Sequence, residues 1–240
     1  MDLGLAGLSV AVAGGASGIG AACVQVLAGE GAEVTVLDRD HRGWAVPGAQ
    51  RFECLDLTVE AAVSGVFERL AAAFDGLVYC AGISGPFGVP AYEVSAEDWD
   101  AVMATNVKGA FLLTKHARRW LRPGASIVLM ASDSALVAAP GMTPYCASKA
   151  ALVMLARGLS VDLAADRVRV NCVCPAIVDT PMSRRDLERP QGFSGFGFPV
   201  IEPAEVARHV AYLLSPLSAS VNGITLVADH GYLARSALPA

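Results

Sequence analysis

Short apolar runs alternate with longer segments of helical spacing from one end of the chain to the other. LSVAVA (8–13), EVTVLD (33–38), QRFECLD (50–56), GLVYCAG (76–82), the run from 126 that ends at Ser132, RVRVNCVCP (167–175) and GITLVAD (223–229) read as strands. Apolar runs bounded by Gly and Pro suit strands covered on both faces. Between them the pattern predicts helices: one from a glycine turn to about Gly29, one over about 58–73, and a long one over about 96–121. Two more run from Tyr145 to about Ala165 and from Glu202 to Leu214. Within the long helix Val107, Phe111 and Leu112 are expected to be buried. Residues 40–49 hold Pro47 and Gly48 and leave room only for a brief crossover helix. Residues 83–94, with Gly85, Pro86, Gly88 and Pro90, read as a loop. Strand–helix alternation of this kind predicts an α/β fold: a doubly wound parallel sheet of about seven strands with helices on both faces. No repeat or linker interrupts it, so residues 1–240 are expected to form a single domain.

Composition narrows the classes. The 240 residues are 54% hydrophobic, enough for a large core, and carry 23 acidic and 18 basic residues for a net charge of −5. Mean hydropathy is +0.47. No basic run points to nucleic acid. Residues 3–29 carry no charge, a length that could span a bilayer. Gly4, Gly7, Gly14, Gly15, Gly18, Gly20 and Gly29 break that stretch, and no basic flank precedes it, so strand, glycine turn and helix explain it better than a membrane span or a leader. The six cysteines form no C-x-x-C. Cys172 and Cys174 share one strand face and read as core, neither zinc ligands nor disulfide partners. Free buried thiols suit a reducing compartment, hence the cytoplasm, and no metal is expected.

The chemistry gathers at the ends of the strands. GGASGIG (14–20) follows the first strand and opens the first helix. Gly14, Gly18 and Gly20 let the backbone approach a pyrophosphate, whose charge the helix N-terminus favours. Asp38, a little over 20 residues past Gly14, ends the second strand, where a carboxylate accepts from both hydroxyls of an adenosine ribose. Asp38 would repel a 2′-phosphate, and Ser17 supplies no basic side chain, so NAD is expected over NADP; Arg39 argues the other way. Asp56 can reach an adenine, or cap the helix that follows. Ala81 and Gly82 permit close contact with the cofactor. Tyr145 and Lys149 lie four apart on one helix face, and Ser132 ends the preceding strand on the ligand-binding side. A free phenol has a pKa of about 10. An ammonium about 5 Å away, at an effective dielectric of ~20, favours the phenolate by roughly 3 kcal/mol. Tyr145 would then exchange protons with an alcohol or carbonyl. Tyr-x-x-x-Lys alone is common, and it is the surrounding pattern that gives it weight.

Residues 176–202 read as an irregular loop, long enough to be functional. Phe193, Phe196 and Phe198 can form an apolar lid. Arg184, Arg185 and Arg189 can meet an anionic substrate or simply face water. The Tyr145 helix carries Ala147, Ala150, Ala151, Leu152, Met154 and Leu155, apolar nearly all round, and is expected to be buried in the core or in an interface. No G-x-S-x-G supports a hydrolase elbow, and no G-K-[ST] supports an ATPase.

Taken in order, these motifs resemble the short-chain dehydrogenase/reductase family over nearly the whole chain. AGGASGIG (13–20) is similar to its T-G-x-x-x-G-I-G cofactor turn, DLT (56–58) to its adenine segment, YCAG (79–82) to N-N-A-G, PAIVDT (175–180) to P-G-x-V-x-T, and LVADHG to L-V-V-D-G-G. The resemblance implies a single-domain Rossmann-type fold and a catalytic set of Asn106, Ser132, Tyr145 and Lys149. It implies dinucleotide contacts from Gly14, Ser17, Gly18, Ile19, Gly20, Asp38, Asp56, Leu57, Cys80, Ala81 and Gly82, and from Tyr145, Lys149, Pro175, Ile177 and Thr180. Ser132 would hold the substrate oxygen, Lys149 would lower the phenol and hold the nicotinamide ribose, and Asn106 would hold a relay water. The implied activity is NAD-dependent interconversion of a secondary alcohol and a ketone, on a small to medium compound, cyclic ones included. A homo-oligomer, tetramer or dimer, is also implied, with no nucleic acid or membrane partner. An NADPH-dependent ketoreductase and a dinucleotide-binding protein without turnover stay open as alternatives. The chain departs from the family at Ala13, Tyr79, Cys80, Ala176 and His230, which bears on stability and cofactor geometry.

Overall fold

The computed structural model describes residues 2–41 and 45–235. Seven strands form one sheet: β1 Ser9–Ala13, β2 Glu33–Asp38, β3 Ala49–Cys54, β4 Phe74–Tyr79, β5 Leu121–Met130, β6 Arg169–Pro175 and β7 Thr225–Ala228. Their order is β3-β2-β1-β4-β5-β6-β7, and every pairing is parallel. Parallel strands need crossovers, and helices supply them on both faces. α1 (Gly18–Gly29) and α7 (Pro203–Leu214) bury Cys23, Val24, Leu27, Val206 and Val210 on one face. α2 (Glu60–Leu70), α4 (Gly109–Ala117) and α5 (Thr143–Asp162) bury Val63, Phe67, Leu112, Leu113, Leu152 and Ala156 on the other. The chain leaves β1 toward β2 on one side and later returns to β4 on the other. That reversal opens a crevice above the carboxyl ends of β1 and β4, the place where such sheets bind ligands.

The elements follow the hydrophobic pattern, with four informative differences. The helix expected over 96–121 is α3 (Ala96–Met103), a π turn (Ala104–Lys108) and α4, and β5 already begins at Leu121. Phe111, expected inside, is 45% exposed, while Leu112 is buried as expected. Asp56 does not cap α2, whose N-cap is Val59; its carboxylate accepts from the backbone N–H and the hydroxyl of Thr58. The 176–202 segment is not irregular throughout. Thr180 and Ser183 form a reciprocal capping box that starts α6 (Pro181–Asp186), with a proline in the first turn where helices accept one. The brief crossover helix expected over 40–49 falls partly on residues 42–44, outside the described residues. No helix of the described residues is long and apolar enough to cross a membrane.

His230 stands where the resemblance expects glycine, and it adopts φ 53°, the left-handed region. The turn is held by Asp229, which accepts from the N–H groups of Gly231 and Leu233. A side chain costs energy in that conformation, and glycine's extra freedom when unfolded offsets part of the gain. His230→Gly is therefore expected to raise stability by up to about 1 kcal/mol, read as a higher midpoint in urea unfolding. A lower midpoint would show that the imidazole contributes a contact that outweighs the strain.

Candidate active site

The glycine turn and the end of β4 meet in the crevice. Gly14 has φ 78°, and a Cβ there would lie 2.4 Å from the Ala81 nitrogen; one on Gly20 would lie 2.0 Å from the Gly14 carbonyl. Both glycines are needed first for the chain to cross itself. Gly18, at φ 53°, is the one facing PAIVDT: its Cβ would lie 3.4 Å from the Thr180 methyl. The segment expected at the pyrophosphate and the segment similar to P-G-x-V-x-T are thus neighbours. Cys80 continues the sheet by donating its N–H to the Ala13 carbonyl, and Leu57, the residue after Asp56, is buried. Ala13 lacks the family's hydroxyl, and among the described residues no buried side-chain polar atom of β1, or of β2 and β4 beside it, lacks a partner.

Asp38 ends β2 with its carboxylate turned to the glycine turn, accepting from the N–H groups of Ala16 (2.9 Å) and Asp40 (3.0 Å). Carboxylate oxygens have lone pairs beyond these two bonds. Ser17 caps α1 in extended conformation but makes no side-chain cap bond, so its hydroxyl occupies none of the first-turn N–H donors.

Ser132, Tyr145 and Lys149 converge above β5. Ser132 follows the strand, is buried, donates its hydroxyl proton to Asp133 (2.9 Å) and accepts from the Ser134 N–H (3.2 Å). It also stands near enough to the Tyr145 phenol to oppose the rise of its pKa. The Lys149 ammonium lies 5.3 Å from the centre of the Tyr145 ring. It is 4% exposed and donates to the Met130 carbonyl at 2.9 Å. Two of its three protons have no protein acceptor among the described residues. The expected lowering of the phenol by Lys149 is not what this geometry gives. Burial raises Tyr145 to about 12, Ser132 opposes that rise, and Asp133 and Asp186 add to it. Burial lowers Lys149 to about 8. Each side chain is held toward its neutral form, so the protein alone leaves the phenol protonated.

Asn106 is fully buried inside the π turn. Its Oδ1 accepts from the Ile83 N–H (2.8 Å), and its Nδ2 donates to the Ile83 carbonyl (3.0 Å) and to Ser148 Oγ (2.9 Å). The amide protons expected to hold a water are therefore committed to the protein. Gly82 lies against this pair: a Cβ there would be 3.3 Å from Asn106 Oδ1 and 3.5 Å from Lys149 Nζ.

Three participants are invisible in the sequence pattern. Asp133 bonds Ser132, and burial raises its carboxyl. Ser148 joins Asn106 to the Tyr145 carbonyl, to which it donates at 2.7 Å. Arg185 on α6 donates to Ser84 Oγ at 3.1 Å, tying the 176–202 segment to the loop after β4. Only the spacing of Ser148, three past Tyr145, could have marked it. The loop's other arginines are engaged internally: Arg184 forks onto Asp179, and Arg189 stacks on Phe196 at 5.3 Å. Phe196 packs edge-on to Phe193, and Phe198 lies against Tyr232.

The residues fit a nicotinamide dinucleotide. Unoccupied N–H donors sit at a glycine-rich helix start, a carboxylate at the end of β2, and a buried ammonium with free protons beside a bare glycine. Comparison with known proteins agrees. The family model described as enoyl-(acyl carrier protein) reductase matches residues 14–233. D-threitol dehydrogenase of Mycolicibacterium smegmatis is 33% identical, over 96% of this chain and 95% of its own. Cyclopentanol dehydrogenase of Comamonas testosteroni is 34% identical, over 94% and 96%. The ligand-free aldohexose dehydrogenase of Thermoplasma acidophilum superposes with a TM-score of 0.88 at 26% identity, covering 98% of each chain. Sheet order, crevice and relatives lead to one conclusion: the chain belongs to the short-chain dehydrogenase/reductase family and is an oxidoreductase acting on CH–OH groups with a nicotinamide dinucleotide.

Proposed function

We propose that this protein oxidises a secondary alcohol to a ketone, and reduces it in reverse, with NAD as the cofactor and Tyr145 as the proton-transfer group. The observation that carries this reading is the convergence of Ser132, Tyr145 and a buried Lys149 beside Gly82. When bound, the dinucleotide supplies the site that accepts or donates hydride. Tyr145 takes the hydroxyl proton in oxidation and returns it in reduction. Ser132 hydrogen-bonds the substrate oxygen and steadies its developing charge. Lys149 offers its two free protons to ribose hydroxyls. Asn106 acts by fixing Ile83 and Ser148 rather than by holding a water through its amide. Gly14, Ser17, Gly18, Ile19 and Gly20 hold the pyrophosphate; Asp56, Leu57, Cys80 and Ala81 line the adenine side; Pro175, Ile177 and Thr180 line the nicotinamide side.

The substrate is a small to medium alcohol, cyclic or polyhydroxylated. The names of the relatives support this, as do Phe193, Phe196 and Phe198 in the segment that Arg185 ties down. The protein works in the cytoplasm as a homo-oligomer, dimer or tetramer. Phe111 on α4 and Met154 and Val161 on α5 support the oligomer: Met154 is 61% and Val161 74% exposed, large apolar groups that a partner would cover. A panel of secondary alcohols and diols with NAD, followed at the NADH absorbance, tests the reading; no turnover on any member would refute it.

Cofactor choice rests on Asp38. A carboxylate against the glycine turn accepts from ribose hydroxyls and repels a 2′-phosphate. Asp38→Ala is expected to lower the NAD-to-NADP ratio of kcat/KM at least about tenfold, the scale of removing one like-charge contact. An unchanged ratio, or a wild-type preference for NADP, would overturn the assignment.

A further inference from the structure

Tyr79, one of the departures from the family pattern, is the fully buried last residue of β4. Its hydroxyl donates to the carbonyl of Thr105, inside the π turn. In an α-helix that carbonyl would take the N–H of Gly109, four residues on. Here the Gly109 N–H goes to Ala104 instead, five residues back. The phenol therefore supplies a donor to a carbonyl from which the π turn has moved its usual one. Gly109 makes this possible: a Cβ there would stand 2.2 Å from the Tyr79 oxygen and 3.2 Å from Cζ. Burial raises the phenol far above its ordinary value, so it stays a donor throughout the working pH range.

The residue after Thr105 is Asn106, whose side chain holds both backbone polar groups of Ile83 and the hydroxyl of Ser148. Ile83 follows Gly82, which lies against Lys149 Nζ, and Ser148 donates to the Tyr145 carbonyl. A continuous set of contacts thus runs from Tyr79 through the π turn to both proposed reacting side chains. We infer that Tyr79 is a positioning residue for the reaction: its hydroxyl fixes the π turn so that Asn106 holds Ile83 and Ser148, and through them the floor beneath Tyr145 and Lys149. Gly109 is its necessary counterpart. The inference rests on the proposed roles of Tyr145 and Lys149.

Three variants test it: Tyr79→Phe, Gly109→Ala, and the double variant. Tyr79→Phe keeps the ring and removes only the hydroxyl. It is expected to lower kcat about tenfold or more, as small misplacements in a site do, while NADH affinity is unchanged. Gly109→Ala alone is expected to lower Tm, because the methyl meets the phenol oxygen. In the double variant the methyl occupies the place of the missing hydroxyl, and alanine favours helix over glycine. Its Tm is expected to return to the wild-type value or above while kcat stays low. Recovery of kcat along with Tm, or wild-type kcat in Tyr79→Phe, would overturn the inference, because a purely structural hydroxyl predicts one or the other. Tyr145→Phe is measured beside them. If it stays active, the reading of the site itself has failed; if it is inactive while Tyr79→Phe turns over normally, only the positioning role has failed.

Discussion

Replacing Tyr145 by phenylalanine is expected to lower kcat by at least about 10³-fold, near the upper range for a single proton-transfer group, while NADH still binds. The ring remains, so the packing of α5 is kept; what disappears is the phenol oxygen beside Ser132. The loss should fall on kcat and not on KM, because the proton moves only during the chemical step. The pH dependence carries a second signature. Burial holds the phenol at about 12, so its ionised form, the one that takes the alcohol proton, is scarce near neutrality. Oxidation rates in the wild type should climb with pH, whereas carbonyl reduction, which uses the protonated phenol, should not. The residual activity of the variant should lack that climb. A variant retaining half of wild-type kcat would remove Tyr145 from the mechanism.

Lys149→Met is the second large effect, and it acts in two directions. Turnover is expected to fall at least about 10²-fold, because the ammonium, 5.3 Å from the centre of the Tyr145 ring, is the proposed ribose anchor. Stability responds through proton binding. Folding lowers the lysine from 10.5 to about 8. Between those values the unfolded chain holds a proton that the native one has released, so the unfolding free energy of the wild type rises with pH across that window. The rise is roughly 3 kcal/mol for a buried group shifted this far. Below about pH 8 both states are protonated, and the cost of burying the ammonium is present in full. Methionine removes both the cost and its pH dependence. Urea unfolding at several pH values from 7 to 10 should show the wild type gaining on the variant as pH rises; parallel profiles would refute the buried, destabilised lysine.

The strands and most helices are legible because their apolar positions keep a single period over a whole element. Asp38, Ser132, Tyr145 and Lys149 are legible for the same reason: each sits at an element end or on one helix face whose direction follows from that period. What escapes the pattern is what depends on contacts between distant segments. The π turn has no local spelling in ATNVKG, since its extra residue is stabilised by Tyr79 from β4 and by Asn106 reaching Ile83. Asp133 reads as an ordinary loop acid until Ser132 is found bonded to it. The pKa of Tyr145 escaped for a physical reason: a one-pair Coulomb estimate omits burial, and here burial is the largest influence. α6 does carry a local signal, a threonine, a proline and a serine in capping order at 180–183.

The extra residue in the π turn also sets a rotational phase. One residue of α-helix is a turn of about 100°. Winding 104–108 as regular α-helix with every residue kept would swing α4 by that angle relative to α3. Leu112 and Leu113, now packed beneath the sheet, would be carried toward water, and Phe111 would rotate off the face it now shows to solvent. The wider π turn thus decides which stripe of α4 meets the core and which faces outward, so a change that tightens the turn without shortening the chain should disturb packing and catalysis together.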